Sequence, residues 1–171
     1  MPDFEEFVIV ENTDGLKQEL ESQTTLLNKR YGLVESSLIH LAAEKGKVAS
    51  LATLISLGAN VNANDKEKCS PLQYASLRGH ASAVEMLLAK GAKVDHADGS
   101  GATAVHWSAG NDKKDILVLL LDHANAMGVQ KELINRTDNA GETALHAACR
   151  VVSSIFVQYA PSIHPSIHPY H

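Results

Sequence analysis

Large aromatic side chains are scarce in this 171-residue chain, at 5% of residues against 44% apolar overall, so the core must be filled with aliphatic and small side chains. Long apolar runs are missing as well. The longest unbroken aliphatic stretch is ILVLLL at 116–121, far short of the ~20 residues that cross a bilayer. The N-terminus, MPDFEEFVIV, is acidic rather than a basic leader ahead of an apolar segment. The expectation is a soluble intracellular chain, cytoplasmic or nuclear, with no membrane insertion. Cysteine is rare too: Cys69 and Cys149 share no short spacing with each other or with histidine pairs, which argues against a disulfide framework or a zinc knuckle. Both are expected as reduced thiols.

Excess positive charge is a further absence. Residues 1–37 hold eight acids against Lys17, Lys29 and Arg30, and the rest of the chain balances twelve acids with twelve bases, for a net charge of -5. No basic stripe is available to neutralise a run of phosphates, so no nucleic acid is expected as a partner. Catalytic motifs are missing in the same way: there is no G-x-S-x-G elbow, phosphate-cradling glycine loop or H-E-x-x-H pair. Cys69 lies between Lys68 and Ser70, neighbours that would lower a thiol pKa slightly, but no oriented base accompanies it. The chain is therefore not expected to be an enzyme, with no catalytic residues, no cofactor and no metal.

What the chain does contain is itself, several times over. SSLIHLAAEKGKVASLATLISLGANVNAND from Ser36 and CSPLQYASLRGHASAVEMLLAKGAKVDHAD from Cys69 align column by column at a shift of 33, and Ser37, Ser70 and Thr103 keep that spacing. Thr143 follows Thr103 by 40 residues, so seven extra residues fall within NAMGVQKEL at 125–133. In each unit Ser or Thr caps a short helix, with Pro71 in the first turn of one copy. Small residues (Ala42 and Ala43, Ala75 and Ser76, Ser108 and Ala109, Ala148) let neighbouring helices approach, and Gly46 or Gly79 turns the chain into a second, aliphatic helix. Gly58 or Gly91 ends that helix, and an extended turn follows: ANVNAND, AKVDHAD, LINRTD. Neither helix buries its apolar stripe alone, so the copies must stack.

The period of 33 and the strings SLIHLA, SPLQYA, TAVHWS and TALHAA resemble the ankyrin repeat family and its T-P-L-H-x-A signature over about residues 31–150. Departures are Gln73 for the signature histidine, Lys68 for a turn glycine and Asp112 for the inter-helix glycine. The resemblance implies an all-α helical solenoid with extended turn or hairpin tips. Its units would be a degenerate acidic capping repeat at 1–31, repeats at 32–64, 65–97 and 98–137, an incomplete terminal repeat at 138–160 and a disordered Pro/His tail at 161–171.

Functionally, the resemblance implies non-covalent binding of a protein partner through turn tips and first-helix ends. The tip columns are Lys66, Glu67 and Cys69; Gly99, Ser100 and Ala102; and Asn139, Ala140 and Glu142. The helix-end columns are Glu44 and Lys45, Leu77 and Arg78, Gly110 and Asn111, and Arg150 and Val151. Leu77 beside Arg78 has the composition of an interface core. Tyr74 and Trp107 share a column that packs between repeats, with ring edges open to a partner. His40, His106 and His146 are expected to bridge the capping hydroxyl and a neighbouring turn, and His80 to be scaffold. The family also suggests Asn62 as an asparagine hydroxylation site, with Leu54 eight residues earlier; its alternative is an amide that closes the turn.

The fourth copy breaks its pattern, because Val152 stands where the turn residue belongs. Leu145, Ala148, Cys149, Val152, Ile155, Phe156 and Tyr159 instead trace one amphipathic stripe, which predicts a single helix over 144–159 ended by Pro161. Such an end invites self-association of an otherwise monomeric protein. The break also raises the alternative of a truncated or variant product of a longer repeat protein, acting as a weak or competing binder. In the tail, Pro161, Pro165 and Pro169 prevent a helix that would align His164, His168 and His171 on a metal.

Overall fold

The computed structural model describes residues 4–22, 27–30, 32–33 and 35–151. The fold is all-α, a solenoid of helix pairs joined by tight turns, with an isolated antiparallel bridge between Thr137 and Thr143. The first pair is α1 (Phe4–Ile9) and α2 (Thr13–Ser22), with Leu16 and Leu20 buried on α2. Then follow α3 (Leu38–Glu44) with α4 (Val48–Ser56), α5 (Pro71–Arg78) with α6 (Ala81–Ala89), and α7 (Ala104–Gly110) with α8 (Lys114–Ala126). The short α9 (Gln130–Asn135) precedes α10 (Ala144–Val151).

Two rows of helices result. In one, α1 packs on α3, α3 on α5, α5 on α7 and α7 on α10; in the other, α2 packs on α4, α4 on α6 and α6 on α8. The small residues explain the close first row: Ala42, Ala43, Ala75, Ser76, Ser108, Ala109 and Ala148 are all at most 1% exposed. The buried hydroxyls of Ser76 and Ser108 donate to Leu72 O and Val105 O of their own helices, so burying them leaves no donor unpaired. Leu51, Leu54, Val84, Leu87, Leu117 and Leu120 are fully buried and supply the aliphatic core between the rows.

The first helices of the three following pairs, α3, α5 and α7, each open on a reciprocal cap. Ser37, Ser70 and Thr103 stand at N-cap positions with extended backbone, and the residue three places on returns a side-chain acceptor to the cap amide: His40 Nδ1 at 3.1 Å, Gln73 Oε1 at 2.9 Å and His106 Nδ1 at 3.2 Å. Gln73 thus replaces the signature histidine without loss of the cap. Each first helix ends on a left-handed residue, Gly46 (φ 64°), Gly79 (φ 81°) or Asp112 (φ 52°), and in each the next amide bonds back to Ala42 O, Ala75 O or Ser108 O. Glycine is required at position 46 for a second reason, since a Cβ there would lie 2.6 Å from the ring of His80, whose Nε2 bonds to Glu44 O.

The longer spacing before the fourth copy takes a definite form. Helix α8 has thirteen residues where α4 and α6 have nine, it closes on Gly128 (φ 74°), and α9 follows to carry Leu133 and Ile134 into the core. At the far end α10 is helical through Val151, the last described residue. The remainder of the helix expected over 144–159, and the Pro/His tail, lie outside the described residues.

Candidate functional site

The three tips are built alike around an aspartate. Asp65 Oδ1 accepts from Glu67 N and Cys69 N at 2.9 and 2.8 Å, Asp98 Oδ1 from Ser100 N, Ser100 Oγ and Ala102 N at 2.8, 2.7 and 3.1 Å, and Asp138 Oδ1 from Ala140 N and Glu142 N, both at 2.9 Å. One turn residue per tip takes positive φ: Lys68 (62°), Gly101 (82°) and Gly141 (78°). The tips are also tied to one another, because Gly99 N donates to Glu67 O at 2.7 Å and Asn139 N to Ser100 O at 2.8 Å. Backbone bonds therefore hold the exposed side chains of Lys66, Glu67, Ser100 and Asn139 on a connected edge.

Beneath this edge the aromatic column turns its polar ends to the same aspartates. Tyr74 Oη donates to Asp65 Oδ2 at 2.6 Å and Trp107 Nε1 to Asp98 Oδ2 at 2.7 Å. Asp98 Oδ2 also receives Gln73 Nε2 at 3.3 Å. Burial and the Asp65 carboxylate push the Tyr74 phenol well above its usual pKa, so it stays a donor. Tyr74 and Trp107 are both half-buried, and Tyr74 meets His40 edge-on with centroids 5.8 Å apart.

Between α5 and α7 opens a cleft of about 360 Å³ lined by Glu67, Cys69, Gln73, Tyr74, Leu77, Asp98, Ser100 and Trp107. A second cleft of about 260 Å³ continues past Trp107 toward α10, with Asn111 and Glu142 in its wall. Six of the residues picked out from the sequence, Glu67, Cys69, Tyr74, Leu77, Ser100 and Trp107, thus meet around one opening. Leu77 is half-buried in that wall and not a fully exposed side chain. Lys66, Arg78 and Asn139 lie outside both linings. The Arg78 guanidinium sits 2.6 Å from Glu44 Oε1, an ion pair between successive repeats; Asn139 Nδ2 bonds to Gly99 O, and Asn111 Nδ2 to Trp107 O. The side chains of Arg150 and Val151 are outside those described.

Cys69 departs from the expectation drawn from its sequence neighbours. Instead of a thiol eased slightly downward by Lys68 and Ser70, partial burial and the carboxylates of Asp65, Asp98 and Glu67 push its pKa up to about 12. The flanking lysine is outweighed by burial and by the field of Asp65 and Glu67 on the same tip and Asp98 on the next. Cys69 is therefore a protonated thiol in the cleft wall.

The signature histidines are scaffold. His40 Nδ1 meets Ser37 Oγ at 2.9 Å and its Nε2 bridges Ala63 O and Cys69 O, both at 3.1 Å. His106 pairs likewise with Thr103 Oγ1 at 2.9 Å, but its buried Nε2 closes no hydrogen bond of ordinary geometry, although the carbonyls of Glu142 and Arg136 stand near enough to favour a proton on it. Burial is the largest influence on both rings and holds both below the ordinary histidine pKa. His146 caps Thr143 through Nδ1 at 2.8 Å. Asn62 reaches across to the next repeat, donating to Gly91 O at 3.0 Å and accepting from Lys93 N at 2.9 Å.

The residues that sequence reasoning passed over are Asp65, Asp98 and Asp138. Their signal was present, since each extended turn ends on aspartate in the strings NAND, DHAD and RTD. Among the described residues no group of three or more His, Cys, Asp or Glu side chains is disposed to hold a metal ion, and no helix is long and apolar enough to cross a membrane.

Two family models match the chain, one described as ankyrin repeats in many copies over residues 39–88 and one as ankyrin repeats in three copies over residues 91–159. The chain is similar to human transient receptor potential cation channel subfamily A member 1, at 39% identity over 57% of this chain and 8% of that protein. It is also similar to the putative E3 ubiquitin-protein ligase XBAT31 of Arabidopsis thaliana, at 26% identity over 79% of this chain and 31% of that protein. Dog inversin matches at 32% identity over 67% of this chain and 10% of its own length. The chain spans less than a third of each of these relatives. With its stacked helix pairs, reciprocal caps and aspartate-closed tips, the chain belongs to the ankyrin-repeat family.

Proposed function

We propose that the protein is a non-catalytic interaction module that binds a protein partner along the tips and the exposed ends of its first helices. The observation that carries this reading is the cleft between α5 and α7, where Tyr74, Trp107 and Leu77 stay half-buried in a wall whose backbone is already tied down. Aromatic and aliphatic groups held rigidly at the base of a polar edge lose little entropy on binding, and such residues dominate interface energetics. Lys66, Glu67, Ser100, Asn111, Asn139 and Glu142 would form the polar rim around them, with Arg78 next to Leu77. The raised pKa of Cys69 leaves its thiol protonated at neutral pH.

A photo-crosslinking residue placed at Ser100, on the tip edge, or at Glu85, on the exposed side of α6, tests this directly. In cells of the source, adducts to a discrete protein are expected from position 100 and not from position 85, with loss of the adduct in Leu77→Ala. Adducts confined to position 85 would overturn the reading. Asn62 is a proposed hydroxylation substrate on the family resemblance, although its amide is engaged on both sides by the next repeat. A mass gain of one oxygen at Asn62 after exposure to an asparagine hydroxylase is the expected sign.

A further inference from the structure

The cleft between α5 and α7 carries more negative charge than its surroundings neutralise. Asp98 in its lining and Asp65, bonded to the lining residue Tyr74, are 7% and 3% exposed, their carboxylates are bonded to N–H and O–H donors, and among the described residues neither pairs with a lysine or arginine. Glu67 adds an exposed carboxylate to the lining, and its side chain makes no hydrogen bond or ion pair among the described residues. The cations nearby do not compensate. Lys66 and Lys68 flank Glu67 on the tip without lining the cleft, and Arg78 is held by Glu44.

The lining also has almost no donor left for an anion. Tyr74 Oη and Trp107 Nε1 donate to Asp65 and Asp98, Ser100 Oγ donates to Asp98, and Gln73 Nε2 is divided between Asp98 and Ala102 O. Only the thiol of Cys69 is unspent among the side chains there. What remains for a ligand is ring surface, the Leu77 side chain and carboxylate oxygen. Ring faces attract cations through their quadrupole, and carboxylates do so by charge. A volume of about 360 Å³ has room for one long side chain rather than a folded element.

We propose that this cleft receives a lysine or arginine side chain from an extended segment of the partner. The alkyl stem lies against Leu77 and the rings of Tyr74 and Trp107, and the charged end faces Glu67 over the field of Asp98. This assignment rests on the interaction-module reading and supplies the chemistry of the partner.

Trp107 is the only tryptophan in the chain and stands in the wall of this cleft, so its emission reports on binding here and in the adjoining second cleft. The probes are three blocked peptides, identical except for a central arginine, leucine or glutamate. The arginine peptide is expected to change Trp107 emission saturably and to bind about tenfold more tightly than the leucine peptide. That advantage should shrink in high salt and in Glu67→Gln, a change confined to an exposed side chain with no bond to lose. Equal or tighter binding of the leucine or glutamate peptide overturns the proposal, as does an absence of response to all three. If position 100 still crosslinks a partner in that case, the charge assignment fails while the interaction-module reading stands. If crosslinking is also absent, both fail.

Discussion

Trp107 donates its indole N–H to Asp98, nine residues earlier in the chain, at 2.7 Å, and Tyr74 repeats the relationship with Asp65 at 2.6 Å. One buried carboxylate thereby closes a tip turn with one oxygen and orients an aromatic ring with the other.

Removing Asp98 should cost more than removing an exposed tip residue. Asp98→Ala strands the amides of Ser100 and Ala102 and the Trp107 indole N–H, and leaving such partly buried donors unmade costs about 1–3 kcal/mol in all. Urea unfolding should show a loss of about 1–3 kcal/mol, with a red shift of Trp107 emission in the folded protein. A neutral result for Asp98→Ala would refute the account of the tip.

Strain at the second tip is removable. Lys68 holds φ 62° in the column that Gly101 and Gly141 fill in later repeats. Lys68→Gly should raise stability by roughly 1 kcal/mol, the order of the left-handed penalty for a residue with a Cβ. The reverse experiment, Gly101→Ala, should destabilise, because the new Cβ would stand 2.7 Å from Asn139 Oδ1. Paired thermal melts of the two variants should move in opposite directions.

Acid should weaken the fold before the carboxylates titrate. Burial keeps His40 and His106 below the ordinary histidine pKa of 6.5, so between their folded values and 6.5 the unfolded chain binds more protons than the folded one. Stability is then full above 6.5 and falls as pH drops through 6.5 toward the folded values. Gln73 performs the same cap without titrating, so the double variant His40→Gln, His106→Gln should flatten this part of the profile. Urea midpoints at pH 7.5 and 5.5 provide the comparison.

The two thiols should separate by reactivity. Cys149 is exposed, whereas Cys69 is half-buried with its pKa pushed up to about 12. Brief alkylation with iodoacetamide at pH 8 should label Cys149 and spare Cys69, read by peptide mass spectrometry. Faster labelling of Cys69 would contradict the electrostatics assigned to its tip.

Much of the candidate site was legible as columns and little of it as contacts. Equivalence of Tyr74 with Trp107, and of Glu67 with Ser100, followed from the shift of 33 alone. That Asp98 serves Trp107, that Arg78 is occupied by Glu44, and that Asn62 ties itself to Gly91 and Lys93 did not, since each depends on where the tip or the next repeat comes to rest.

By itself the sequence determined the period, the helix caps at Ser37, Ser70 and Thr103, the left-handed turns at Gly46, Gly79 and Asp112, and the aliphatic stripe of each second helix. These are interactions over three to five residues, written in side-chain size, backbone freedom and local hydrogen bonding. Tertiary structure alone decided that Leu77 sinks into a cleft wall, that burial and the field of three carboxylates raise the Cys69 pKa despite its lysine neighbour, and that α9 carries Leu133 and Ile134 into the core. Burial and electrostatic field sum over groups up to a whole repeat apart, and only the stacked array brings those groups together.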